Sequence, residues 1–437
     1  MTKWSDAARQ NNSGFTLPLT EAQLDEWRRL PAHQQPVWED SERAEECRRV
    51  LTESPGLVTA AEVAELLRVL SQCALGEVDI IQVGDCAEDP AGSAPDAVRR
   101  TMGLIEALAG MWQLTTGKPV VRVGRMAGQY AKPRSAPTEA VGGRPLAVYR
   151  GHMINRPEAT ETSRRHVPDH MLHCYRSAGR VLAELERLRT DPASQPRIWT
   201  SHEALVLDYE LGLLRRDDSG RMLLTSTHWP WIGERTRQPD GAHVRLLASV
   251  INPVACKIGP SASPDDVLAL CEALNPERET GRLTLITRMG EDRVSEALPP
   301  LVEATAAARH PVLWLCDPMH ANTRLREGVK TRLMEAITSE LQQFRRCVTE
   351  SGGVAGGVHL EATATNVAEC ISEETGVELD RTRYTTLCDP RLNPDQALSV
   401  LAAAGRAAST DVPEPTSHRA WPPHDGGALP HADIPRK

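Results

Sequence analysis

Three stretches decide the fold: NPVACKIGP (Asn252–Pro260), LTLITRMG (Leu283–Gly290) and VLWLCDPMH (Val312–His320). Each is a short apolar, partly β-branched run that ends on a charged or ligand-type side chain. Such a run reads as a strand buried on both faces. The segments between them are longer and mostly helical in character. Working outward, the same rhythm gives Val78–Val83, Pro119–Val123, Arg197–Thr200 and Leu223–Ser226 upstream, and Val354–Leu360 downstream. Alternating strand and helix signals predict a parallel sheet, and eight repeats predict an α/β fold closed as a (β/α)8 (TIM) barrel. The segment 125–196 is long for one unit, so extra loops or helices are expected there.

The residues that follow the runs are in phase: Asp85-Cys86, Arg125, Ser201-His202-Glu203, His228-Trp229, Lys257, Arg288, Asp317 with His320, and Glu361 after His359. In a barrel the C-terminal strand ends converge on one mouth, where active sites lie. One such residue means little, because charges also decorate outer helix faces. Eight in phase point to a site.

Residues 1–70 read as a helical N-terminal extension, with helix-like spacing over Leu24–Leu30 and Ala60–Leu70 and breaks at Pro31, Pro36 and Pro55. The barrel is assigned to 71–405. Residues 406–437, rich in Pro, His, Gly and Ala, read as a disordered tail. A solvated tail explains His418, His424 and His431 better than a metal site does.

The 437 residues are 40% hydrophobic and 25% charged, an ordinary globular balance. A net charge of −9 argues against a nucleic-acid or membrane-surface binder. Ten cysteines without a CxxC pair argue against a disulfide scaffold or zinc ribbon and fit a reducing cytosol. Met1–Asp40 has no apolar signal segment, and no run is long enough to span a bilayer, so a cytoplasmic protein is expected.

Cys86, His320, Glu361 and Asp389 form a thiolate, imidazole and carboxylate set suited to a divalent transition ion rather than calcium. Their spacing is dispersed, and a buried Cys86 beside a hydrogen-bonded His320 is the competing reading. Arg125, Arg235, Lys257 and Arg288 together suit a small substrate with a carboxylate and a phosphate; each alone reads as a solvated or ion-paired residue. The loop Gly124–Ser135 adds Lys132, Arg134 and Ser135 around glycines that let backbone amides approach an anion. A flexible basic loop is the alternative. Trp229-Pro230-Trp231 reads as a pocket wall, with core or interface as the other choices. Ser201-His202-Glu203 are adjacent on a strand and point different ways, so they make no hydrolase triad by themselves.

The motifs GDCAE (Gly84–Glu88), RVGRMAGQYAKPRS (Arg122–Ser135), YRGHMINR (Tyr149–Arg156) and TSHEALVLDYE (Thr200–Glu210) resemble those of class II 3-deoxy-D-arabino-heptulosonate 7-phosphate (DAHP) synthases. So do STHWPWIGERTRQPDGAHV (Ser226–Val244), NPVACKIGP, RMG, DPMHANT (Asp317–Thr323), GGVHLEAT (Gly356–Thr363) and CDPRLNP (Cys388–Pro394), in family order from about residue 35 to 405. The length and the AED after Cys86 look most like short members serving phenazine-type secondary pathways.

The resemblance implies condensation of phosphoenolpyruvate with erythrose 4-phosphate, the opening step of aromatic biosynthesis. It also implies a divalent metal, Mn or Co before Zn, Fe or Cd, on Cys86, His320, Glu361 and Asp389. Arg125, Glu234, Arg235, Lys257 and Arg288 would hold phosphoenolpyruvate, and Lys132, Arg134 and Ser135 erythrose 4-phosphate. Cys86, Lys257, Glu234 and His320 would serve catalysis, in a homo-oligomer, expected as a dimer. Two departures stand out: His152 where the family pattern has YRGD, and Val83 for the first glycine of GGDCAE. The short N-terminal extension makes feedback inhibition by aromatic amino acids unexpected. Rival readings are the same chemistry on an altered aldose phosphate, with His152 the residue to watch, a metal-dependent pyruvate aldolase, and a catalytically inactive regulatory partner.

Overall fold

Eight parallel strands close into a barrel in sequential order: β1 (Asp79–Gly84), β2 (Val120–Gly124), β3 (Ile198–Glu203), β4 (Trp229–Ile232), β5 (Val254–Ile258), β6 (Leu283–Thr287), β7 (Leu313–Cys316) and β8 (Val354–Glu361). Closure comes from β8 pairing with β1, with Glu361 in register with Gly84. The computed structural model describes residues 17–189 and 196–409. Side chains alternate with the strand period of two. On β5, Val254, Cys256 and Ile258 join the core between strands and helices, while Ala255 joins the barrel interior. That parity turns Lys257 inward as well, toward Asp317.

Among the described residues, three helices precede the barrel: α1 (Glu21–Arg28), α2 (Ser41–Glu53) and α3 (Ala60–Ala74). The outer helices are α4 (Pro95–Thr116), α5 (Asp169–Leu188), α6 (Leu207–Gly212), α7 (Ala242–Ser249), α8 (Pro264–Leu274), α9 (Val294–Ala297), α10 (Pro299–Ala307), α11 (Met334–Glu350) and α12 (Pro394–Ser409). Helix α3 starts at a capping box between Thr59 and Glu62. Its Leu66, Leu70 and Cys73 pack with Ile80, Val121, Trp199, Trp229, Ala255 and Leu313 near the strand starts. The extension therefore supplies the floor of the barrel. Of the expected tail, 410–437 lies outside the described residues, as does 1–16 of the extension; α12 runs through Ser409.

The fourth strand corrects the sequence reading. Leu223–Ser226 stays out of the barrel: Met222–Leu224 pairs antiparallel with Leu214–Arg216, which also takes Leu17–Pro18. Asn252 holds this run in place, with its side chain bonded to the Leu224 amide and carbonyl at 2.9 and 3.0 Å. The barrel strand is WPWI, where Pro230 has no N–H and breaks the usual strand signature. His228 consequently precedes its strand. It sits near the floor, with Nδ1 accepting from Thr200 N at 3.1 Å and Nε2 3.9 Å from Glu62. The residues at the mouth after β4 are Gly233-Glu234-Arg235. Between β2 and β3 lie the expected extra elements, a hairpin of Thr138–Val141 with Arg144–Ala147, followed by α5.

Candidate active site

Glu361 ends β8 fully buried, with both oxygens engaged at the mouth. Oε1 lies 3.3 Å from Arg125, 3.3 Å from Lys132 Nζ and 3.0 Å from His320 Nε2, and Oε2 accepts from Arg332 at 2.8 Å. Burial alone would raise its pKa, but His320, Lys132 and Arg332 hold the carboxyl well below its ordinary range. Asp389, between Lys132 at 2.5 Å and Lys330 at 2.7 Å, is held low against burial as well.

A ring nitrogen of His320 and one oxygen each of Glu361 and Asp389 lie within 4.8 Å of one another. The His320 Nδ1 is engaged by Asp317 at 2.7 Å, which fixes the ring and leaves Nε2 facing the two carboxylates. A carboxylate behind a histidine is the usual support of a metal-ligating imidazole. Burial lowers the His320 pKa and favours the neutral ring that a metal requires. These groups fit a divalent cation, and Lys132 Nζ lies 3.3 Å from Glu361 and 2.5 Å from Asp389. Cys86 stands outside the trio. Its sulfur is 3.5 Å from Thr386 Oγ1, and the Cys388 thiol and the Lys132 ammonium hold it down at about 6 despite burial.

A cavity of about 220 Å³ opens beside this cluster. Its wall carries nine of the expected residues: Lys132, Arg134, Ser135, Glu234, Arg235, Lys257, Arg288, His320 and Asp389. Arg125 lies deeper, only 2% exposed, donating to His359 Nε2 at 3.0 Å and stacked 5.5 Å over Trp231. Lys257 is 5.8 Å over the same ring and 2.6 Å from Asp317. Trp231 thus lies beneath the cations, and both it and Trp229 belong to the buried cluster inside the barrel. Arg235 donates to Ser135 Oγ at 2.7 Å, joining the loops after β4 and β2. Among the described residues, Glu234 Oε2 has no hydrogen-bond partner, and it is buried.

The loop after β2 is held from outside the cavity. Glu88 accepts from the amides of Ala127, Gly128 and Gln129 at 3.0, 2.9 and 2.6 Å. Burial pushes its pKa up to about 7. Gly84 makes room for this loop, since a Cβ there would lie 2.4 Å from the Arg125 carbonyl oxygen.

Other assignments gain definite places. Ser201 donates to the Trp229 carbonyl, and His202 pairs with Glu210 at 2.9 Å, so neither joins a triad. Glu203 lines the cavity with one oxygen unpartnered, and burial raises its pKa. His152 is not on the cavity wall; it lines a separate groove with Asp89, Arg156 and His170, and its Nδ1 meets the Tyr149 hydroxyl at 2.7 Å. Arg332, Lys330 and Thr323 were not foreseen. They come with a hairpin (Arg324–Arg326 with Val329–Thr331) after β7 that no periodicity announces. Among the described residues, no helix is long and apolar enough to cross a membrane, and all ten cysteines are free.

Residues 22–194 and 183–404 match the class-II DAHP synthetase family. The chain is 49% identical over 381 residues to a probable phospho-2-dehydro-3-deoxyheptonate aldolase of Pseudomonas fluorescens, covering 85% of this chain and 94% of that one. It is 36% identical over 426 residues to the phospho-2-dehydro-3-deoxyheptonate aldolase AroG of Mycolicibacterium smegmatis, covering 85% and 91%. Among solved structures, the DAHP synthase of Thermotoga maritima overlays at a TM-score of 0.38 with 14% identity, over 77% of this chain and 70% of that one, too loosely to carry any argument. The family match spans nearly all of the described chain, and the two relatives align over nearly their whole length: the chain belongs to the class-II DAHP synthetase family.

Proposed function

We propose that this protein condenses phosphoenolpyruvate with erythrose 4-phosphate and water, giving DAHP and inorganic phosphate. Family membership supports the reaction. The observation that carries it for this chain is the cavity in which six cationic side chains, Lys132, Arg134, Arg235, Lys257, Arg288 and Lys330, meet His320 and Asp389. Both substrates are anions, and fixed cations in a site of low dielectric bind them far better than mobile surface charges do.

In this reading Arg125, Arg235, Lys257 and Arg288 take the carboxylate and phosphate of phosphoenolpyruvate. Lys132, Arg134 and Ser135 take the phosphate of the aldose. Holding the two in register converts a collision into a local event. Carbon 3 of phosphoenolpyruvate forms a bond to the aldehyde carbon, water adds at carbon 2, and the carbon 2–oxygen bond breaks to release phosphate. A divalent ion, Mn or Co by preference, held by Cys86, His320, Glu361 and Asp389, would supply Lewis-acid polarisation of the aldehyde oxygen. Glu234, with one buried oxygen unpartnered, is suited to orient the incoming water. Lys257 has its pKa lowered by burial and suits proton sharing with the leaving phosphate.

An altered aldose phosphate gains no support, because His152 lies in the neighbouring groove and not on the cavity wall. The experiment is a coupled assay of phosphoenolpyruvate loss with erythrose 4-phosphate across several divalent ions. A pyruvate aldolase predicts instead no phosphate release from phosphoenolpyruvate, which a phosphate assay distinguishes.

A further inference from the structure

A carboxylate behind the cavity wall ties two of its loops together. Glu340, on α11, is fully buried. Its Oε1 accepts from the amides of Met289 and Gly290, both at 2.9 Å, and its other oxygen accepts from Asn322 Nδ2 at 2.7 Å. Asn322 extends the contact: Nδ2 also donates to the Pro318 carbonyl at 2.8 Å, and Oδ1 accepts from the Glu291 amide at 3.1 Å. Met289 and Gly290 directly follow Arg288, and Gly290 turns the chain at φ +88°. Pro318 and Asn322 bracket His320. Where the two loops meet, Arg288 donates to the His320 carbonyl at 3.2 Å.

Packing alone does not call for a carboxylate here, since an apolar side chain fills a core position at lower desolvation cost. We propose that Glu340 is a positioning residue of the active site, fixing Arg288 and His320 relative to one another while touching nothing bound there. The inference rests on the roles proposed above for those two residues.

Glu340→Gln separates the two halves of the contact. The amide oxygen can still accept from Met289 and Gly290, but the new NH2 faces the NH2 of Asn322. Loss of such a supporting contact weakens metal binding by about tenfold or more. Calorimetric titration of the full chain with Co2+, and separately with phosphoenolpyruvate, reads both halves. The expected result is a roughly tenfold loss of Co2+ affinity in E340Q with phosphoenolpyruvate affinity changed less than about twofold. Unchanged Co2+ affinity in E340Q, whatever its melting temperature, would overturn the inference. Wild-type protein that binds neither Co2+ nor phosphoenolpyruvate would overturn the proposed function and this inference with it, whereas unchanged Co2+ affinity in E340Q overturns the inference alone.

Discussion

At the scale of single residues, Glu361 is the charge around which the mouth is assembled. Arg125, Lys132 and Arg332 all depend on it, and none of the four is more than 10% exposed at the side chain. Breaking one partner of a buried ion network leaves charges uncompensated, at about 3–5 kcal/mol. Glu361→Gln should therefore lower unfolding stability by about 3 kcal/mol in chelator-treated protein, measured by urea titration; an unchanged midpoint would contradict this. Arg125→Ala should raise the KM for phosphoenolpyruvate about 10- to 100-fold, the worth of a charge-assisted hydrogen bond or two. His320→Ala should abolish high-affinity metal binding, read by metal analysis after dialysis. The sequence made these residues visible for one reason: strand ends of a barrel converge, so Lys257, Arg288, His320 and Glu361 could be grouped before any contact was known. Glu340 and Arg332 were not visible, because a lone acidic residue on a helix and a lone arginine after a hairpin look like surface residues.

At the scale of elements, seven of the eight expected runs overlap barrel strands. The exception shows what sequence periodicity cannot resolve. Leu223–Ser226 and Trp229–Ile232 are both short apolar runs, and Pro230 made the true strand the weaker candidate. Which of them pairs with β3 is settled by tertiary contacts, with Asn252 claiming Leu224 and Ser201 in register with Trp229. Helix α3 depends on its cap. Glu62 closes the capping box and reaches Arg197 and His228. Against burial, the His228 ring and the Thr59 bonds hold the Glu62 pKa below its usual value near 4.5. A carboxyl depressed in the folded state contributes stability that is present above its unfolded pKa and lost as pH falls. Glu62→Gln should thus flatten the decline of melting temperature below pH 4.5 relative to wild type. Thr59→Ala should cost about 1 kcal/mol at neutral pH. A wild-type acid profile in the Gln variant would contradict the role given to Glu62.

At the scale of the whole molecule, the barrel floor is not made by the barrel. Leu66, Leu70 and Cys73 cover the inward side chains at the strand starts. A chain begun at residue 75 would expose that apolar surface and should aggregate or lose cooperative melting, whereas a soluble, cooperatively melting truncation would show the floor to be dispensable. The other end gathers cations against an overall charge of −9. That contrast confines anion attraction to one opening. The central claim is that this opening brings two anions together on a metal-dependent site. The most direct test follows phosphate released from phosphoenolpyruvate by chelator-treated protein, with and without erythrose 4-phosphate and restored Mn2+ or Co2+. The account predicts one phosphate per phosphoenolpyruvate consumed, only when aldose and metal are both present. Release at full rate without metal, or without erythrose 4-phosphate, would contradict it.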